Sequence, residues 1–301
     1  MKEQTLHFAL LFLLQGVFLS QLSAQKQPIF KNGETHESMS ERWELDSSTR
    51  RGNFLFTAYK PVYVMAGRWS SNPNEQPRSE NPNYSLPFRV DYDNHEAKFQ
   101  LSFKTKIWQG IFGRHGDLWI AYTQRSHWQI YNQELSRPFR ETNYEPEIIL
   151  NFATNYKFLG LRGRMFGIAF NHQSNGRALP LSRSWNRVIG HIGFERGKWN
   201  VYLRGWYRVP DEDDENPAAT DYIGVGETTV IFNPGKHQLT FGSNFNFDFD
   251  TPRGSIRFDW MFPISGNLKG YLQLSEGYGE TLVDYNHRQT TIGIGISLIE
   301  W

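Results

Sequence analysis

The 301-residue chain contains no cysteine. No disulfide can frame it, and the redox compartment stays open, because cytosolic and exported proteins can both lack the residue. Charge of one sign is missing as well. The formal net charge is +1, which gives no basic footprint for nucleic acid. Long apolar runs are nearly absent. The one candidate is N-terminal, from Phe8 to Leu14, resuming at Val17–Leu19 after Gln15-Gly16. A spanning helix needs ~20 apolar residues, so this run is too short for an anchor. With Lys2 before it and the small pair Ser23-Ala24 after it, residues 1–24 read as a secretory signal peptide.

What the chain has instead is aromatics, at 16% of residues. That excess suits strands and membrane interfaces better than helical cores. From about residue 52 to the end the pattern has a period of two. Phe99, Leu101, Phe103, Thr105 and Ile107 alternate with Lys98, Gln100, Ser102, Lys104 and Lys106. Ile292, Ile294, Ile296 and Leu298 alternate with glycine and serine. Twelve such segments are expected, at about 52–65, 94–108, 117–130, 144–157, 164–173, 185–196, 198–208, 222–232, 236–249, 254–263, 267–278 and 287–299.

Two architectures hide one face of many antiparallel strands. A sandwich buries it between sheets, whereas a membrane barrel turns it to lipid and keeps polar groups inside. Segments of ~10 residues match a tilted bilayer crossing. The heavily charged parity suits a wet lumen. Trp108, Trp128, Trp185, Trp199, Trp206 and Trp260 sit near segment ends, as interface girdles do. The sequence therefore predicts an all-β fold, a twelve-stranded antiparallel transmembrane β-barrel over residues 52–301, preceded by a loosely ordered periplasmic segment over 25–51. An even strand count puts both termini on the periplasmic side. Short connections such as "NPGK" and "SGN" then face the periplasm, and longer ones (66–93, 131–143, 174–184, 209–221, 250–253, 279–286) face outward. The "DEDDE" stretch at 211–215 reads as a solvated acidic tip rather than a metal site.

His172 and Ser174 share a parity with Phe166, Ile168 and Phe170, and Asn186 shares one with Val188 and Ile192. Three polar side chains thus take lipid-facing positions near the external ends of neighbouring strands. The hairpin sets Asn186 beside His172. Such groups cost free energy against hydrocarbon. They mark either a site or a position in the headgroup layer, where the cost is small.

The motifs "YTQRSHWQIYN" (122–132), "SRPFRETNYEPEI" (136–148), "NHQSNGR" (171–177), "SRSWNR" (182–187) and "GYGETLVDYN" (277–286) occur in one order. Over roughly Asp93 to Trp301 the chain closely resembles the outer-membrane phospholipase A family, calcium-dependent lipid hydrolases on twelve-stranded barrels. The resemblance implies His172 as base, Ser174 as nucleophile, Asn186 as the group orienting the histidine, and the Gly176 N–H as oxyanion donor. It implies a Ca2+ site from the Arg177 carbonyl, Ser182 and, lent by the facing subunit of a homodimer, Ser136. It also implies Gln124 as a polar dimer contact. One departure stands out: where family members carry an acid two positions after the arginine, this chain has Leu179. Either calcium affinity is lower here, or another group such as Glu134 or Asp93 substitutes.

The expected function is a multi-pass outer-membrane phospholipase. It would cleave sn-1 and sn-2 acyl esters of membrane glycerophospholipids and lysophospholipids through acyl-Ser174. The rivals are a porin or structural barrel without chemistry, which predicts no ester cleavage, and a soluble sandwich lipase, which predicts extraction without detergent.

Overall fold

The structure, a computed structural model, describes residues 36–301, so the signal peptide expected over 1–24 lies outside the described residues. Thirteen strands follow one another: β1 (Phe56–Ala58), β2 (Val62–Ser70), β3 (His95–Trp108), β4 (Asp117–Trp128), β5 (Phe139–Phe158), β6 (Leu161–Ser174), β7 (Ser184–Arg196), β8 (Trp199–Val209), β9 (Gly226–Phe232), β10 (Gln238–Phe245), β11 (Gly254–Ser265), β12 (Leu268–Gly277) and β13 (Gln289–Ile299). From β2 to β13 each strand pairs antiparallel with its chain neighbours, and β13 returns to β2. The sheet closes on itself as a twelve-stranded barrel, which removes its edges. β1 is the broken first piece of strand one. It pairs with β3 at Phe103–Thr105, whereas β2 pairs with β3 only as far as Gln100. Between the pieces stands Pro61, which has no N–H to give a ladder.

The burial pattern is inverted relative to a soluble protein. On β3, Leu101 is 46% exposed, while Lys104 is 0% and Lys106 1% exposed. The lysines point into the lumen, where a charge must find a partner. Lys98 meets Glu280 at 2.5 Å and Lys106 meets Glu44 at 2.7 Å. Glu96 gathers Arg68 at 2.6 Å, His127 at 2.8 Å and Arg140 at 2.9 Å. Removing one member of such a buried network typically costs ~3–5 kcal/mol, because it strands the other charge.

Residues 36–51 are more ordered than their unpatterned sequence suggests. Ser38 and Glu41 form a capping box that starts the short helix α1 (Met39–Trp43). Met39 and Trp43 belong to one buried cluster with Trp119, Ile149, Met165 and Ala169, side chains that β4, β5 and β6 turn inward. Trp43 meets Trp119 edge-on at 5.7 Å, and the Lys104 ammonium lies 4.6 Å from the Trp43 ring. Arg42 donates to the carbonyls of Tyr59 and Glu300.

Three other expectations are corrected. The segment expected at 222–232 begins with a helix, α2 (Ala219–Ile223), and turns at Gly224 before β9. Gly224 has φ +96° and a Cβ there would lie 2.2 Å from the Phe245 carbonyl oxygen, so only glycine fits. The segment expected at 236–249 stops at Phe245, because Asn246 and Asp248 take the chain into a turn whose backbone N–H groups they satisfy. Trp185 and Trp206 are not girdle residues. Both are buried in the lumen, where the Arg187 guanidinium lies 4.1 Å and 5.1 Å from their rings.

Candidate active site

β6 and β7 fix the geometry by register. His172 pairs with Asn186, Ser174 with Ser184, and on the other side Tyr144 of β5 pairs with Ser174. Phe166, Ile168 and Phe170, on the same parity as His172, are exposed on the outer wall. The alternation thus carries His172 and Ser174 to the wall facing lipid. His172 Nδ1 and Asn186 Oδ1 are 2.8 Å apart. A carboxamide oxygen can only accept, so Nδ1 is the donor in this bond, and in the neutral ring Nε2 is then the nitrogen with the lone pair. Among the described residues no hydrogen bond joins Ser174 to the ring.

The loop after β6 carries the other expected residues. Gly176 has φ +63°, and the Tyr144 ring lies 3.3 Å from where a Cβ would sit. Its N–H has no partner among the described hydrogen bonds. Arg177 sends its guanidinium away, to the Arg140 carbonyl at 2.7 Å. Ser182 Oγ donates to Glu215 Oε1 at 2.5 Å, and the second oxygen of Glu215 is buried with no hydrogen-bond partner. Glu215 is the residue the sequence reading missed. The run 211–215 is not merely a solvated tip: Asp213 accepts from the Tyr84 hydroxyl, Asp214 from Arg208, and Glu215 turns inward to Ser182. Nothing in the local pattern signals this, since the contact depends on how two loops fold together.

Ser136 sits apart, exposed and at φ +57° in the β4–β5 loop. No hydrogen bond within the chain joins it to Arg177 or Ser182 among the described residues. Gln124 is on the lipid-facing parity of β4. It accepts from the Tyr122 hydroxyl at 3.1 Å and donates to Ser126 at 3.4 Å, so a polar row crosses an otherwise apolar wall. No group of three or more His, Asp or Glu among the described residues could hold a metal ion. The oxygens brought together at Ser182 are its own hydroxyl and the Glu215 carboxylate, whose Oε2 is buried and unpaired. Hydroxyl and carboxylate oxygens are among the donors that calcium takes.

Residues 39–298 match the phospholipase A1 family. The chain belongs to that family. It is 38% identical to the phospholipase A1 of Klebsiella pneumoniae over 245 residues, covering 81% of this chain and 82% of that one. With the Escherichia coli K12 phospholipase A1 the identity is 42% over 203 residues, covering 67% and 69%. The Salmonella typhi outer membrane phospholipase dimer with bound calcium superposes with a TM-score of 0.74 at 35% identity, covering 83% of this chain and 94% of that one. The Escherichia coli outer membrane phospholipase A gives 0.72 at 36%, covering 81% and 94%. The protein is accordingly a phospholipase and a multi-pass β-barrel of the outer membrane.

Proposed function

We propose that the protein is a calcium-dependent phospholipase that cleaves sn-1 and sn-2 acyl esters of glycerophospholipids and lysophospholipids by a Ser174–His172–Asn186 mechanism. The observation that carries this reading is the 2.8 Å His172–Asn186 hydrogen bond on the lipid-facing wall, two residues from a serine of the same parity. With Nδ1–H held by Asn186, Nε2 takes the proton of the Ser174 hydroxyl as Oγ attacks the acyl carbonyl carbon. The proton passes to the departing glycerol oxygen, leaving acyl-Ser174. Water, deprotonated by the same nitrogen, attacks the acyl carbon and releases the fatty acid and Ser174. The Gly176 N–H faces the developing oxyanion. Asn186 is neutral, so it orients the imidazole but gives little to the imidazolium. A bound calcium ion would supply the missing positive charge near the oxyanion, held by the Arg177 carbonyl, Ser182 and Glu215, with Ser136 from a second subunit and Gln124 at the contact between subunits. A site on the outer wall suits substrate that arrives sideways within the leaflet.

The test is phospholipid hydrolysis in detergent micelles with calcium and with chelator. Fatty-acid release with calcium and its loss with chelator is the expected result. Equal rates in both would sink calcium dependence, and no release in either would sink the esterase reading.

A further inference from the structure

The loop 175–183 carries Gly176, Arg177 and Ser182, yet contains no regular structure of its own. Arg183 holds its far end, donating to the Pro180 and Ser182 carbonyls at 3.2 and 2.6 Å, and Asn175 ties its start to its end. Asn175 Oδ1 accepts the backbone N–H of Arg177 at 3.2 Å and of Arg183 at 3.0 Å. Asn175 Nδ2 donates to the Leu181 carbonyl at 2.7 Å and to Glu141, at 3.1 Å to Oε1 and 3.3 Å to Oε2. The Asn175 N–H closes the base of the loop on the Arg183 carbonyl at 3.0 Å. Glu141, on the lumen face of β5, is fixed in turn by Asn143 Nδ2 at 2.9 Å. Asn175 is 4% and Glu141 1% exposed, so no water competes for these bonds.

The chemistry needed at position 175 is narrow. Two loop N–H groups need an acceptor, while a loop carbonyl and a carboxylate need donors. A carboxamide of this length supplies both. Aspartate would keep the acceptor, lose the donors and set two carboxylates together. We propose that Asn175, anchored by Glu141, is a positioning residue for the reaction: it sets the Gly176 N–H and the Arg177 carbonyl relative to Ser174 without touching substrate. This rests on the esterase reading above. The barrel wall then places not only the nucleophile and base but, through a lumen carboxylate, the loop that faces the oxyanion.

The experiment compares Asn175→Ala, Asn175→Asp, Glu141→Ala and Glu141→Gln with wild type in calcium-containing micelles. It reads kcat, KM, calorimetric calcium affinity and the rate at which a fluorophosphonate labels Ser174; barrel folding is checked by heat-modifiable gel mobility. Asn175→Ala should lower kcat and labelling together by about ten- to a hundredfold, the scale of misplacing an oxyanion donor, and weaken calcium binding. KM should stay within about twofold. Asn175→Asp should fare no better. Glu141→Ala should follow in part, and Glu141→Gln, which keeps an acceptor for Asn175 Nδ2, should restore kcat. Wild-type kcat in Asn175→Ala, or equal losses in Glu141→Gln and Glu141→Ala, would overturn the proposal. If Asn175→Ala does not fold, the Glu141 pair decides on the same criterion. A wild-type chain inert toward phospholipid defeats the esterase reading and this inference with it; an active wild type with an unaffected Asn175→Ala defeats the inference alone.

Discussion

Ser174, His172 and Asn186 differ in what each supplies, and their substitutions should differ accordingly. Ser174→Ala removes the atom that forms the acyl intermediate, and His172→Ala removes the base. Each should cut phospholipid turnover by about 10⁴-fold or more, since members of such a unit fail together. Asn186→Ala keeps the base and removes only the group that orients its ring. It should cost less, within the ~10²–10⁴ that positioned proton transfer contributes. Initial rates on micellar phospholipid check all three, and wild-type-like turnover in Ser174→Ala would refute the mechanism. The parity of these residues could be read from the sequence because a strand has a period of two, and cross-strand pairing put Asn186 against His172. Glu215 could not be read this way. Its contact with Ser182 spans two loops with no shared register, and a run of acids looks the same whether one of them turns inward or not.

At the scale of elements, periodicity located strands well and their interruptions poorly. β3 and β13 lie within two residues of expectation, whereas β9 and β10 are cut short by side chains that satisfy turns and by the Gly224 approach. The helix α1 is too short to show a repeat, so its burial became visible only with the barrel around it. Its anchoring has a pH signature. The Ser40 hydroxyl donates to Asp46 at 2.5 Å and Arg164 Nη2 does so at 2.7 Å. The Ser40 hydrogen bond, then Arg164 working against partial burial, holds the Asp46 carboxyl below its ordinary value. A folded-state pKa below the unfolded one gives stabilisation that is full above ~3.9 and fades as pH falls through the lower folded value. Backbone amides of α1 should therefore exchange hydrogen faster, after correction for intrinsic rates, once pH drops into that range. Asp46→Asn, which imitates protonation, should show faster exchange already at neutral pH. Identical protection of α1 in Asp46→Asn and wild type would show that this contact does not hold the segment.

On the scale of the whole molecule, one barrel holds Ser136 in the β4–β5 loop and Ser182 in the β6–β7 loop, with no hydrogen bond between them among the described residues, and Ser136 is exposed. If each subunit of a dimer lends Ser136 to its partner's cation site, calcium binds the dimer more tightly than the monomer. Linkage then requires calcium to favour the dimer by the same factor. A difference of ~1.4 kcal/mol changes the dimer constant tenfold. Leu179 bears on the size of the coupling. It is exposed and apolar at the rim of the loop, so it gives the monomer's site no charge, leaving Glu215 as the carboxylate beside Ser182. A weak monomer site makes the dependence on the partner steeper. Sedimentation in detergent across a calcium titration should show wild type shifting toward dimer. Ser136→Ala should shift less, because the lent oxygen is gone. Leu179→Asp should bind calcium more tightly as monomer and so couple less to assembly. Monomer–dimer distributions that are the same with calcium and with chelator would separate the two processes, leaving calcium a role within each barrel alone.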